Sequence, residues 1–120
     1  MLYRKAYDRL LTWKGQPKKK ALCIMGARQI GKTTLIRQFG KEQYSCFVEI
    51  NFITDTDATK IFAGNLDANT IITNLTAYTR KPMIPGNTLV LLDEIQACPN
   101  ARTAIKFLVE DGRFDYIESG

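Results

Sequence analysis

Histidine does not occur in this chain of 120 residues, and tryptophan occurs once, as Trp13. The three cysteines, Cys23, Cys46 and Cys98, are odd in number and far apart, with no CxxC pair. A zinc site therefore lacks its usual ligands, and reduced, mostly buried thiols in a cytoplasmic protein are the expectation. Long apolar runs are missing too. No stretch approaches the roughly 18 consecutive apolar residues that would span a bilayer, so no membrane partner is expected. The opening "MLYRKAYDRLLTWKG" breaks its apolar positions with charge, which excludes a secretory signal. Neither an internal repeat nor a low-complexity segment is present.

What is present suits one globular domain: 45% hydrophobic and 24% charged residues, enough to bury a core. The net charge of +5 is unevenly spread. Residues 1–20 hold Arg4, Lys5, Arg9, Lys14, Lys18, Lys19 and Lys20 against Asp8 alone, while residues 21–120 carry ten basic and eleven acidic groups. A basic segment on a neutral domain is in the first place a solvated face; nucleic acid is the alternative partner.

Leu2, Tyr3, Ala6, Tyr7, Leu10 and Leu11 fall at three- and four-residue intervals, which predicts an amphipathic helix ended by Gly15 and Pro17. Residues 1–17 thus read as helix and linker, and residues 18–120 as the core. "KALCIM" predicts a short buried strand. A helix from Lys32 to Phe39 follows, closed by Gly40. "SCFVEINF" predicts an interior strand covered on both faces. Residues 57–80 read as two helical pieces around Gly64, with Asp67 as N-cap of the second and Ile71, Leu75 and Tyr78 on one face. "KPMIPGN" is a loop, and "TLVLLDE" is the most apolar strand. Pro99 or Asn100 opens a helix to about Glu110 with Ala104, Phe107 and Leu108 inward, and "FDYIESG" starts a fourth strand. Strands alternating with helices predict an α/β fold with a parallel sheet.

Two motifs carry chemistry. Between the first strand and its helix, "MGARQIGKTT" contains Gly26-x-x-x-x-Gly31-Lys32-Thr33, the spacing of a phosphate-binding P-loop. Gly26 and Gly31 let bare backbone approach a polyphosphate, whose charge the N–H groups of the loop and of the helix N-terminus receive. Gly26, Ala27, Arg28, Gln29, Ile30 and Gly31 would form the cradle, with Lys32 reaching the β- and γ-phosphates. Thr33 would ligate Mg²⁺, leaving Thr34 for packing or a secondary polar contact. Arg28 faces two readings, a phosphate or neighbouring-subunit contact and an exposed solvated cation. About 60 residues downstream, "LVLLDE" ends a buried strand in two carboxylates. Asp93 can hold the Mg²⁺ through its water shell, and Glu94 can orient or deprotonate an attacking water. Gln96 would relay the state of the γ-phosphate or cap the next helix. Tyr3 and Tyr7 lie either near a nucleobase or in the core, and Trp13 packs.

"GARQIGKTTLIRQF", "VEINF", "NTLVLLDEIQACPNARTAIKFLVEDG" and "YIESG" together resemble the N-terminal AAA+ ATPase region of bacterial and archaeal ATPases that carry a C-terminal domain of unknown function. Arg28-Gln29 and "DEIQACP", Asp93 to Pro99, are the most specific elements of that likeness. It implies a three-layer α/β/α P-loop NTPase of the ASCE type with strand order 5-1-4-3-2, ATP and Mg²⁺ as ligands, and ATP hydrolysis coupled to a further C-terminal region. It makes Lys32 and Thr33 the Walker-A pair and Asp93 and Glu94 the Walker-B pair. Asn51 falls at the polar position that can restrain the catalytic glutamate, and Ser119 at the sensor-1 position near the γ-phosphate. Strand 5, the lid, sensor 2 and any arginine finger would lie outside residues 1–120, which leaves "KALCIM" as a sheet edge. The expectation is a fragment of a longer protein with weak hydrolysis, completed by its own C-terminal domain or by homo-oligomerisation. The alternatives are a nucleotide-dependent switch or scaffold with little turnover and a nucleic-acid-associated ATPase.

Overall fold

The computed structural model describes residues 2–25 and 31–120, with the side chains of Leu2 and Tyr3 outside that description. Helix α1 (Leu2–Lys14) precedes strand β1 (Leu22–Ile24), helix α2 (Lys32–Gln43) and strand β2 (Cys46–Asn51). A 3₁₀ segment, Thr56–Phe62, leads to α3 (Ala68–Thr79) and β3 (Thr88–Asp93). A short 3₁₀ turn, Ile95–Ala97, then joins β3 to α4 (Pro99–Asp111) and β4 (Asp115–Ser119). The four strands pair in the order β1-β4-β3-β2, every pair parallel. That is the 1-4-3-2 part of the expected order.

Period-two patterning sends alternate side chains of the sheet into two cores. Leu89, Leu91 and Ile117 meet Leu10 and Trp13 of α1 and Ile36 and Phe39 of α2. Val48, Ile50, Val90, Leu92 and Tyr116 meet Ile71 and Leu75 of α3 and Ala101, Ala104 and Leu108 of α4. The result is a three-layer α/β/α sandwich. Each residue of β3 is buried, as a central strand covered on both faces must be.

Local signals set the helix ends. Asp67 caps α3, its carboxylate accepting from the Thr70 amide at 3.1 Å and the Thr70 hydroxyl at 2.7 Å. Those bonds, the Thr70 hydroxyl foremost, hold Asp67 below the usual carboxylate range. Pro99 opens α4 at its first turn, where a missing N–H costs nothing, and Gly112 ends it at φ 78°.

Several expectations need correction. Gly40 does not close α2, which runs on to Gln43; a Cβ at residue 40 would instead strike the Phe47 ring, 2.8 Å from its Cε1. Here glycine is selected by close packing of helix on sheet rather than by helix termination. β2 lies at the sheet edge and not in its interior, and buries one face while the other is half-covered. The first piece of 57–80 is 3₁₀ rather than α-helical. Leu11, Tyr78 and Phe107 are exposed. The Tyr78 hydroxyl donates to Asp55 at 2.6 Å, which pushes its pKa up to about 12. Trp13 takes the buried place on α1, its indole donating to the Lys20 carbonyl at 2.8 Å.

Candidate functional site

Parallel strands bring their C-terminal ends to one edge of the sheet, and loops leaving that edge form its site. Register places Asn51 of β2 beside Asp93 of β3, and Ser119 of β4 beside Ile24 of β1. Three polar side chains from three adjacent strands therefore meet where the chain leaves β1 towards α2. Gly26, Ala27, Arg28, Gln29 and Ile30 lie outside the described residues. The description resumes at Gly31, whose φ of 95° is left-handed, with open space where a Cβ would stand. Backbone conformation, not crowding, selects glycine there. Its carbonyl accepts the Leu35 amide at 2.8 Å and starts α2. Lys32 and Thr33 sit half-buried in the first turn, and Thr34 is exposed.

Asp93 is the hub of the edge. It is buried, and its Oδ1 accepts from Ser119 Oγ at 2.7 Å and from the Glu94 amide at 2.9 Å. Its Oδ2 faces Asn51 Nδ2 at 3.5 Å. Charge-assisted donors of this kind fix the plane of a carboxylate. Asn51 is occupied on its other side as well, since its Oδ1 accepts from the Ile53 and Thr54 amides at 2.9 and 3.1 Å and folds the turn after β2. Glu94 follows in a left-handed conformation, φ 55° and ψ 45°. For a residue with a Cβ this costs about 1–2 kcal/mol, and strain of this type concentrates at functional sites. Its Oε1 accepts from Gln96 Nε2 at 3.0 Å. Arg37 of α2 grips Glu49 of β2 through two 2.7 Å bonds, which tie the helix carrying Lys32 and Thr33 to the sheet. That pairing raises the Arg37 pKa further, with Asp93 adding a weaker attraction.

Residues 18–120 match the AAA domain family. The chain belongs to that family. The AAA domain also superposes over 98% of its length on the Orc1 protein of Aeropyrum pernix, solved in complex with DNA, with a TM-score of 0.54. At 14% identity this likeness is one of fold, and the AAA domain spans 37% of that chain. No curated protein matches it in sequence. Family and fold together make it a nucleotide-binding part of the AAA+ P-loop ATPase class.

Sequence reasoning placed Asp93, Glu94, Asn51 and Ser119 at one edge, and the structure brings them there. It did not anticipate the contacts among them. Ser119 and Asn51 both turn to Asp93, and Glu94 is held by Gln96. Tyr7 packs edge-on against Phe39 at 5.6 Å, and its hydroxyl donates to Glu42 of α2. A cavity of about 380 Å³ lies at the opposite end of the sheet, lined in part by Lys18, Lys20, Phe114 and Tyr116, and so is separate from this edge. No helix among the described residues is long and apolar enough to cross a membrane.

Proposed function

We infer that this AAA domain binds Mg·ATP at the C-terminal edge of its sheet and hydrolyses it by in-line attack of water on the γ-phosphate. The observation that carries the reading is the Asp93 carboxylate, oriented by Ser119 and the Glu94 amide, with Glu94 itself next in the chain. Gly26 to Gly31 would cradle the polyphosphate with main-chain N–H groups, joined by the free amides and the dipole at the start of α2. Lys32 would meet the β- and γ-phosphates.

The donor set fits a hard divalent cation. Asp93 offers a pre-oriented oxygen and Thr33 a hydroxyl on the first turn of α2, which matches the preference of Mg²⁺ for a few oxygen ligands beside substrate phosphates. Bound there, the ion would neutralise charge on the transferring phosphoryl group. Glu94 would accept the proton of the attacking water, the role its half-buried carboxylate and fixed backbone suit. Hydrolysis would drive rearrangement of a C-terminal domain.

The test is calorimetry and turnover on three proteins. The unaltered chain should bind Mg·ATP, Lys32→Ala should abolish the heat, and Glu94→Gln should keep binding while losing turnover. Binding that survives Lys32→Ala would sink the nucleotide-site reading. Turnover unaffected by Glu94→Gln would favour a switch or scaffold. A nucleic-acid-associated ATPase has narrower support, since Lys19 already pairs with Asp115 at 3.5 Å and Lys14 lies 5.0 Å over the Tyr44 ring.

A further inference from the structure

We propose that Gln96 is the positioning residue of Glu94, holding its carboxylate from a seat that glycine at position 120 keeps open. The proposal rests on the hydrolysis reading above and deepens it. Three observations converge on it.

The first is the backbone. After β3 the chain turns left-handed at Glu94, and the following 3₁₀ turn closes with the Ala97 amide on the Glu94 carbonyl at 3.0 Å. This turn brings residue 96 back beside residue 94. The second is the bond itself. Gln96 Nε2 donates to Glu94 Oε1 at 3.0 Å, which leaves Oε2 to receive a proton from water. A glutamine exposed to solvent gains little by fixing its rotamer for one such bond, so something else must hold it.

That support is the third observation. A Cβ built on Gly120 would overlap Gln96 Oε1 and lie 3.2 Å from its Cδ. The carboxamide thus rests against the bare backbone that follows β4, one residue beyond Ser119. One end of Gln96 touches the acid after β3, and the other touches the segment whose serine orients Asp93. The two carboxylates of the site are therefore positioned from the same strand end. Asn51, to which the resemblance assigns restraint of the glutamate, has its carboxamide engaged by the turn after β2 and by Asp93. Gln96 makes the contact instead.

Alanine at 120 would displace a flexible side-chain end rather than backbone, so Gly120→Ala should fold normally and lose only the seat. Two measurements test the proposal. In ¹⁵N-labelled protein, the Gln96 side-chain amide pair is assigned by its disappearance in Gln96→Met. That pair should shift in both Glu94→Gln and Gly120→Ala. In turnover, Gln96→Met and Gly120→Ala should each lower kcat about ten- to hundredfold, the scale of a misplaced catalytic group. Mg·ATP affinity should stay unchanged. Neither substitution should cost anything further in the Glu94→Gln background, because groups acting through one another are non-additive.

The proposal is overturned if the Gln96 resonances ignore Glu94→Gln, or if Gln96→Met turns over at the unaltered rate. It is also overturned if the loss appears as weakened ATP binding. A chain that binds Mg·ATP without any turnover contradicts the hydrolysis reading instead, and the amide resonances still decide whether Gln96 holds Glu94.

Discussion

Asp93 sits where one strand end can be gripped by both neighbours, and its chemistry follows from who holds it. Ser119 Oγ, at 2.7 Å, is its closest side-chain donor. A serine sensing the γ-phosphate and a serine orienting a metal-binding carboxylate would be affected differently by the ion. Outer-sphere partners of a metal ligand typically control about 10–100-fold of affinity. Ser119→Ala should therefore weaken ATP binding by that factor in the presence of Mg²⁺ and leave binding in EDTA unchanged. An equal loss with and without the ion would place Ser119 on the nucleotide instead. The place of the Asp-Glu pair at the end of a buried strand was legible in the sequence, because an unbroken apolar run stops there at two acids. The partnership of Ser119 with Asp93 was not, since it joins residues 26 apart in the chain and depends on which strands become neighbours.

At the scale of elements, β3 and α4 were readable from local chemistry: an unbroken apolar run, and a proline at the helix start. α2 was misread at one residue. Glycine ends many helices, but the same lack of a side chain also lets a helix approach a sheet, and only the tertiary contact tells the two apart. The Phe47 ring occupies the space where a Gly40 side chain would stand. Gly40→Ala gains about 1 kcal/mol of helix propensity. Overpacking against a ring in a filled layer costs about 1–3 kcal/mol. The net should be a destabilisation of about 1 kcal/mol by denaturant unfolding. Phe47→Leu in the Gly40→Ala background should then cost less than Phe47→Leu alone, because the two sites share one space. Simple additivity of the two changes would refute the steric explanation. The edge position of β2 was hidden for a related reason: Phe47 reads as a second apolar face, yet it is half-buried and its face is shared with Glu49, which Arg37 covers.

Across the whole molecule the two ends of the sheet have different tasks. The C-terminal end carries the strained Glu94 and the polar hub. The other end is tied together beside its cavity, with Tyr44 donating to Asp115 at 2.6 Å, Lys19 pairing with the same acid, and Lys14 over the Tyr44 ring. This knot joins α1, the end of α2 and the start of β4. Burial, then the hydrogen bond to Asp115, pushes the Tyr44 phenol well above its ordinary value. The fold thus favours the neutral phenol. Its contribution is complete below the unfolded tyrosine pKa of about 10 and is lost as pH rises above it. Tyr44→Phe should cost about 1.5–3 kcal/mol at pH 7, the worth of a hydrogen bond to a charged group. The gap from the unaltered chain should close as pH passes about 10 and the wild-type phenol is forced to ionise on unfolding. Denaturant titrations between neutral and alkaline pH measure the gap directly. A Tyr44→Phe variant as stable as the unaltered chain at pH 7 would show that Tyr44 contributes by packing alone, and that the far end of the sheet is not held by its hydroxyl.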